Sequence, residues 1–311
     1  MTFSDENEVY AYLNRFLNFE RKLEPTEYRL DRMLRLMELF GHPDRKYRIV
    51  HVAGSKGKGS TATMIASIIA EAGGVVGLYT SPHLLSFTER IAINGKPVPT
   101  DILLPCAREL SERMDKESPE DFPGGEAPTY FELLTMLGFL CFRDAGCTDA
   151  VIEVGLGGRL ESTTVVTPEA CGITPIDLEH TDILGDTIEK IAAEKAGIMK
   201  PGIPTFTSAT RPEALQVFRS RASELAAPLT ILDEVLDVVD CGIDVKGTTA
   251  TARWRDEAAF GPELRLRTPM IGTVQARNAA LAATVARRLG YGDGIIARGI
   301  AKAKSIGRAH V

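Results

Sequence analysis

His51-Val-Ala-Gly-Ser-Lys-Gly-Lys-Gly-Ser60 is an apolar run that breaks into glycine and lysine just before a helical pattern begins. Ile49, Val50 and Val52 make Arg48 to Ala53 read as a short strand, and Met64, Ile65, Ile68, Ile69 and Ala72 give Thr61 to Ala72 one apolar helical face. The turn between them has the chemistry of an anion cradle. Gly54, Gly57 and Gly59 let the backbone approach a ligand, and the helix start presents unpaired N–H groups at the positive end of its dipole. Lys58 adds a mobile charge. The spacing approaches G-x-x-x-x-G-K-[ST], with Val52 in the place of the first glycine, Gly59 in that of the hydroxyl, and Ser60 one residue later. A glycine-rich strand-to-helix turn with a solvated lysine would use the same residues, so the surroundings decide.

Working outward, the 311 residues are 44% hydrophobic and 25% charged, which suits one large α/β domain or two small ones. A formal net charge of -6 argues against the basic face that nucleic-acid binding needs. Cys106, Cys141, Cys147, Cys171 and Cys241 are scattered without a CxxC pair and read as small buried hydrophobes in a reducing compartment. The acidic Ser4-Asp-Glu-Asn-Glu8 start does not resemble a signal peptide, and no apolar run approaches the roughly 20 residues of a membrane span. A cytoplasmic monomer without membrane contact is the expectation.

Upstream, Ser4 caps a helix carrying Val9, Tyr12, Leu13 and Phe16, and Thr26 to Phe40 forms a second with Leu30, Met33, Leu34 and Met37 on one stripe, ending at Gly41. Downstream, Val75 to Tyr79 is another strand, completing a βαβ unit. Ligands of such sheets lie beyond the carboxyl ends of the strands, which places Thr80, Ser81 and His83 beside the cradle. Ile91 to Gly95 is a short strand into a turn, Lys116 to Gly125 a surface loop, and Phe131 to Phe142 an apolar helix capped by Thr129.

Asp149 to Gly155 reads as a buried strand holding one carboxylate, Glu153, at the functional edge of the sheet. A buried carboxylate needs a cation. Arg159 would supply one as a salt bridge; Mg²⁺ would supply one as a ligand site. Cys171 to Ile176 is a further strand, with His180 just beyond it. Thr187 caps a helix to Ala196 whose last turn carries Lys195, a position where a lysine ordinarily complements the helix dipole. Pro204 to Thr207 is a strand, Glu213 to Leu225 a helix, about 229–268 an antiparallel β excursion around Trp254, and Arg277 to Leu289 a helix with Gln275 and Asn278 at its start.

Together, Gly54-Ser-Lys-Gly-Lys-Gly-Ser60, Tyr79-Thr-Ser-Pro-His-Leu84, Glu153-Val-Gly-Leu-Gly-Gly-Arg159, His180-Thr-x-x-Leu-Gly185 and Ala193-Glu-Lys-Ala-Gly-Ile198 closely resemble the folylpolyglutamate synthase / dihydrofolate synthase family, the folate branch of the Mur ligases. The resemblance implies an α/β fold, a Mur ligase-type P-loop ATP-binding domain with a mostly parallel central sheet flanked by helices. It implies an ATP-dependent ligase that activates a folate γ-carboxylate, or dihydropteroate, as an acyl phosphate for attack by L-glutamate. Carried over, it makes Gly54, Ser55, Lys56, Gly57, Lys58, Gly59 and Ser60 the triphosphate binders. Gln275 and Asn278 meet the base, and Arg308 reaches a phosphate. Ser81, Glu153 and His180 become ligands of two Mg²⁺ ions, Lys195 a carbamylated lysine beside them, and Ser81, Pro82 and His83 part of the folate pocket. Lys58, Glu153, His180 and Lys195 would carry the catalysis.

The chain departs from the family pattern at three places. Lys56 stands where an amide is usual, Glu161-Ser-Thr-Thr164 where D-A-T-N is usual, and Asp177-Leu-Glu-His180 where G-L-D-H is usual. Residues 1–308 match the ATP-binding domain and 309–311 the start of a linker, so the family's C-terminal glutamate-binding domain is expected to be absent and this chain alone to ligate little glutamate. Two other readings share the phosphate loop: a Mur- or cyanophycin-type amino-acid ligase domain, and a non-catalytic nucleotide-binding regulator.

Overall fold

The computed structural model describes residues 2–18 and 29–304. The strands are β1 (Arg48–Ala53), β2 (Val76–Tyr79), β3 (Ile91–Ile93), β4 (Lys96–Pro97), β5 (Asp149–Glu153), β6 (Ala170–Ile173), β7 (Thr205–Thr207), β8 (Leu229–Ile231), β9 (Leu236–Asp244), β10 (Gly247–Trp254) and β11 (Leu264–Thr268). They form an eight-stranded sheet in the order β4-β3-β2-β5-β1-β6-β7-β8 and a three-stranded sheet in the order β11-β10-β9. From β2 across to β8 every pairing is parallel; the β2–β3–β4 edge and the small sheet are antiparallel. The phosphate loop therefore leaves the middle of the large sheet.

Helices α1 (Glu6–Leu13), α2 (Asp31–Leu39), α3 (Lys58–Glu71), α4 (Thr100–Met114), α5 (Tyr130–Asp144), α6 (Thr181–Leu184), α7 (Ile188–Lys195), α8 (Pro212–Glu224), α9 (Leu232–Val235), α10 (Glu257–Phe260), α11 (Thr273–Arg288) and α12 (Asp293–Lys302) complete the fold. Strand side chains alternate between faces, so β1 sends Ile49 into a core with α1, α2, α4 and α5, and Val50 and Val52 into another with α3, α11, α12 and the small sheet. A third core lies between β6, α7 and α8.

Several boundaries differ from the sequence reading. Asp5, not Ser4, caps α1, accepting from Asn7 and Glu8 N–H, because a carboxylate reaches both donors at once. Residues 26–28 and Arg308 lie outside the described residues; α2 turns Met33, Leu36 and Met37 inward and leaves Leu34 exposed. Helix α3 starts at Lys58, since Gly57 at φ 87° makes the reversal in a single residue, and it is buried almost all round, with only Ala72 of the expected face outside it and exposed.

The excursion expected at about 229–268 divides. Leu229–Ile231 pairs parallel to β7 as the edge of the large sheet, and only β9 to β11 form the small one. Helices α4 and α12 have no counterpart in the sequence reading, because Pro105 inside α4 and Gly294 and Gly299 in α12 mask the periodicity. Gly299 is required by tertiary contact: a Cβ there would lie 2.4 Å from Ile68 Cα of α3. Four cysteines are buried as expected; Cys241, on the outer strand β9, is exposed. No helix among the described residues is long and apolar enough to cross a membrane.

Candidate active site

At the carboxyl end of β1 the loop is packed too tightly for side chains. A Cβ on Gly54 would fall 1.9 Å from Thr174 Oγ1, and one on Gly57 2.6 Å from Asn278 Oδ1. Ser55 N–H donates to Pro175 O at 2.9 Å, and Ser55 Oγ donates to Asp177 O at 3.1 Å, which anchors the loop to the segment after β6. Lys58 Nζ is folded back on its own loop, donating to Gly54 O at 2.8 Å and Ser55 O at 3.3 Å, with Glu179 Oε1 at 4.0 Å. Lys56 points outward and is exposed. Helix α11 begins at Thr273 instead of Arg277, so Gln275 as well as Asn278 lies inside it; both are buried and joined by a 3.1 Å hydrogen bond, and the Asn278 side chain packs against Gly57 of the loop.

Glu153 ends β5 beside Val52 in parallel register and is 1% exposed. Its Oε2 accepts from Ser81 N–H at 3.1 Å, joining the edge of β5 to the segment after β2. Arg159 does not serve it: that guanidinium turns outward to Glu194 at 2.9 Å. His180 takes a left-handed conformation, φ 47°, at the start of α6, and is exposed. Ser81 and His180 meet at one cavity of about 320 Å³ whose wall includes Pro82, Phe131, Leu156 and Ile183. His83 is not part of this lining. Its Nδ1 accepts from Arg90 Nε at 2.7 Å and its ring meets Tyr10 edge-on, a partner on α1 that spacing along the strand could not reveal.

Lys195 is 1% exposed and its Nζ lies 2.9 Å from Glu179 Oε1. The helix-end position is thus joined by a partly buried ion pair, and Glu179 stands between Lys58 and Lys195.

In the sequence Glu161 stands out only as a departure from the family pattern. It lines the same cavity, and burial raises its carboxyl to about 7 against the opposing pull of hydrogen bonds from Thr163 and Gly155 and the charge of Lys195. The one signal for it in the sequence is a carboxylate closely following Gly157, Gly158 and Arg159. Arg29 and the buried Arg32, which also line the cavity, carry no signal in the sequence, because they come from the start of α2 and the residues just before it, remote in sequence.

No family model matches the chain. It is 41% identical over 266 residues to the dihydrofolate synthase/folylpolyglutamate synthase of Bacillus subtilis, covering 84% of this chain and 59% of that protein. It is 35% identical over 283 residues to the folylpolyglutamate synthase of Lacticaseibacillus casei, covering 90% of this chain and 63% of the relative. The solved apo form of L. casei FPGS superposes with a TM-score of 0.86 at 31% identity, covering 96% of this chain and 72% of that one. The chain belongs to the folylpolyglutamate synthase family. It spans 59% of the length of the B. subtilis relative. An FPGS-AMPPCP-folate complex superposes equally well, with a TM-score of 0.86 over 96% of this chain. Membership of the family favours the folate branch over the Mur- or cyanophycin-type alternative.

Among the described residues no group of three or more His, Cys, Asp or Glu side chains forms a metal cage. A buried carboxylate beside a hydroxyl residue, next to a phosphate cradle, nevertheless suits Mg²⁺, which keeps waters and takes phosphate oxygens as its remaining ligands.

Proposed function

We propose that this chain carries the nucleotide and folate sites of an ATP-dependent amide ligase that adds L-glutamate to the γ-carboxylate of a folate, with dihydropteroate as a second acceptor. The reading is supported most by one juxtaposition. The Lys58 loop and the Ser81–Glu153 contact lie at the same edge of the sheet, and the apolar-walled cavity that Ser81 lines opens there.

In this reading the loop from Gly54 to Ser60 holds the triphosphate through N–H groups other than those of Ser55 and Lys56, which donate to Pro175 O, and Lys58 leaves its own carbonyls for the outer phosphates. Glu153 and Ser81, with His180, would hold Mg²⁺, which neutralises charge on the transferring phosphoryl group. Gln275 and Asn278 lie toward the base, and Ser81 and Pro82 toward the folate. The γ-phosphoryl group passes to the carboxylate oxygen with cleavage of its bond to ADP. The glutamate amine then attacks the acyl carbon and phosphate leaves. The residues position and neutralise; they form no covalent bond to substrate. Residues 1–308 as one ATP-binding unit, Arg308 at a phosphate, two Mg²⁺ ions, Lys195 as a carbamate, a monomer and a cytoplasmic location belong to the same proposal.

The test is mass analysis of products after incubating the protein that carries this chain with ATP, Mg²⁺, L-glutamate and either tetrahydrofolate or dihydropteroate. Glutamylated product is expected, and Glu153→Gln is expected to abolish it while leaving the circular dichroism spectrum unchanged. Nucleotide binding without any glutamylated product would favour a non-catalytic regulator.

A further inference from the structure

Three side chains form a hydrogen-bonded line behind the cavity wall. His51 on β1 is fully buried, and its Nε2 lies 2.9 Å from Thr163 Oγ1. The Thr163 hydroxyl in turn donates to Glu161 Oε2, and Thr163 N–H donates to the same oxygen at 2.9 Å. Gly155 N–H donates to the other oxygen, Oε1, at 3.3 Å. Glu161 is 6% exposed and lines the cavity.

With Glu161 ionised, which its carboxyl at about 7 allows on the alkaline side, the proton count along this line has one solution. A hydroxyl carries a single proton, and Thr163 gives it to Glu161 Oε2, an oxygen that already accepts a backbone N–H. The contact with His51 is then a donation from Nε2–H to Thr163 Oγ1. Nδ1 is left as the bare nitrogen, and it has no hydrogen-bond partner among the described residues. The ring is neutral, since burial, aided by the charge of Lys200, brings it down to about 3. With Oε2 occupied by two donors, Oε1 keeps acceptor capacity to spare.

We infer that His51 is a positioning residue for the substrate cavity: acting through Thr163, it locks the rotation of the Glu161 carboxyl so that Oε1 is the fixed acceptor for an N–H donor of the bound substrate. The inference rests on the reading of the cavity as the folate pocket. It gives His51 a task distinct from the phosphate loop that begins at Gly54 on the same strand, and it explains why a polar ring is kept in a position flanked by Val50 and Val52.

Two measurements test it. The first is nitrogen-15 NMR of the histidine rings at about pH 8, where Glu161 is ionised and His51 is expected to be a neutral Nε2–H tautomer. A proton on Nδ1 would overturn the line. The second compares Thr163→Val and Thr163→Ser with the unaltered chain in binding tetrahydrofolate and a non-hydrolysable ATP analogue. Valine keeps the shape and removes the hydroxyl, so tetrahydrofolate affinity is expected to fall about tenfold, with serine restoring it and nucleotide affinity changing less than about twofold. A fault that merely loosened β1 would weaken both ligands together and would contradict the assignment. If the unaltered chain does not bind tetrahydrofolate, the folate reading of the cavity falls. If it does and Thr163→Val binds equally well, only the positioning role falls.

Discussion

Glu161 and His51 titrate in opposite senses, and their sum sets a pH signature. Burial raises the Glu161 carboxyl from 4.5 to about 7, so the folded protein keeps a proton that the unfolded chain loses. Its contribution to stability is complete below about pH 4.5 and is lost as pH rises through about 7. His51 is depressed from 6.5 to about 3, so its contribution is present above about 6.5 and is lost as pH falls toward 3. Where those windows overlap, the two slopes nearly cancel. Glu161→Gln is therefore expected to gain on the parent chain by roughly 2 to 3 kcal/mol as pH rises from about 5 to about 8, read from urea unfolding at each pH. A difference that stays constant with pH would refute this. At the cradle, Gly57→Ala is expected to abolish nucleotide binding, because φ 87° and a contact of 2.6 Å with Asn278 both oppose a Cβ. Isothermal titration with an ATP analogue checks it.

At the scale of elements, α5 shows how one residue serves several structures. Thr129 N–H donates to Glu132 Oε2 at 2.7 Å and Glu132 N–H donates to Thr129 Oγ1 at 3.2 Å, a reciprocal cap. The same Glu132 carboxylate accepts Arg32 Nε from α2 at 3.2 Å, with both side chains buried. Thr129→Ala removes only the cap and is expected to cost about 1 kcal/mol. Glu132→Ala also strips a buried guanidinium of one carboxylate, leaving Glu126 at 2.7 Å, and is expected to cost roughly 3 to 5 kcal/mol. Chemical denaturation separates the two, and equal costs would show that the Arg32 pair contributes nothing. The Thr129 cap was legible from a hydroxyl ahead of an apolar run. The pair to Arg32 was not, because it joins residues a hundred positions apart.

Over the whole molecule, the small antiparallel sheet is fastened to α11 at Arg287. Its guanidinium lies 3.8 Å over the Trp254 ring, and it donates to Phe260 O at 2.6 Å, Pro262 O at 2.8 Å and Asp293 Oδ1 at 2.8 Å. Arg287→Leu is expected to cost about 2 to 3 kcal/mol. It is also expected to speed amide exchange in β10 and β11 before β1 and β5. Exchange that accelerates equally everywhere would mean that the two sheets open as one.

What could be read without coordinates follows from local physics. The glycine and lysine pattern of residues 51–60, the βαβ order, the Thr129 and Thr187 caps and the family motifs all depend on neighbours a few residues away, where backbone geometry and periodicity act. Tertiary structure alone decided the rest. It paired the helix-end Lys195 with Glu179, moved Leu229–Ile231 into the large sheet, turned His83 onto Arg90, and joined His51 to Glu161 through Thr163. Each of these depends on which distant strand end lies alongside, and sheet order, unlike helix period, leaves no repeating mark in the chain.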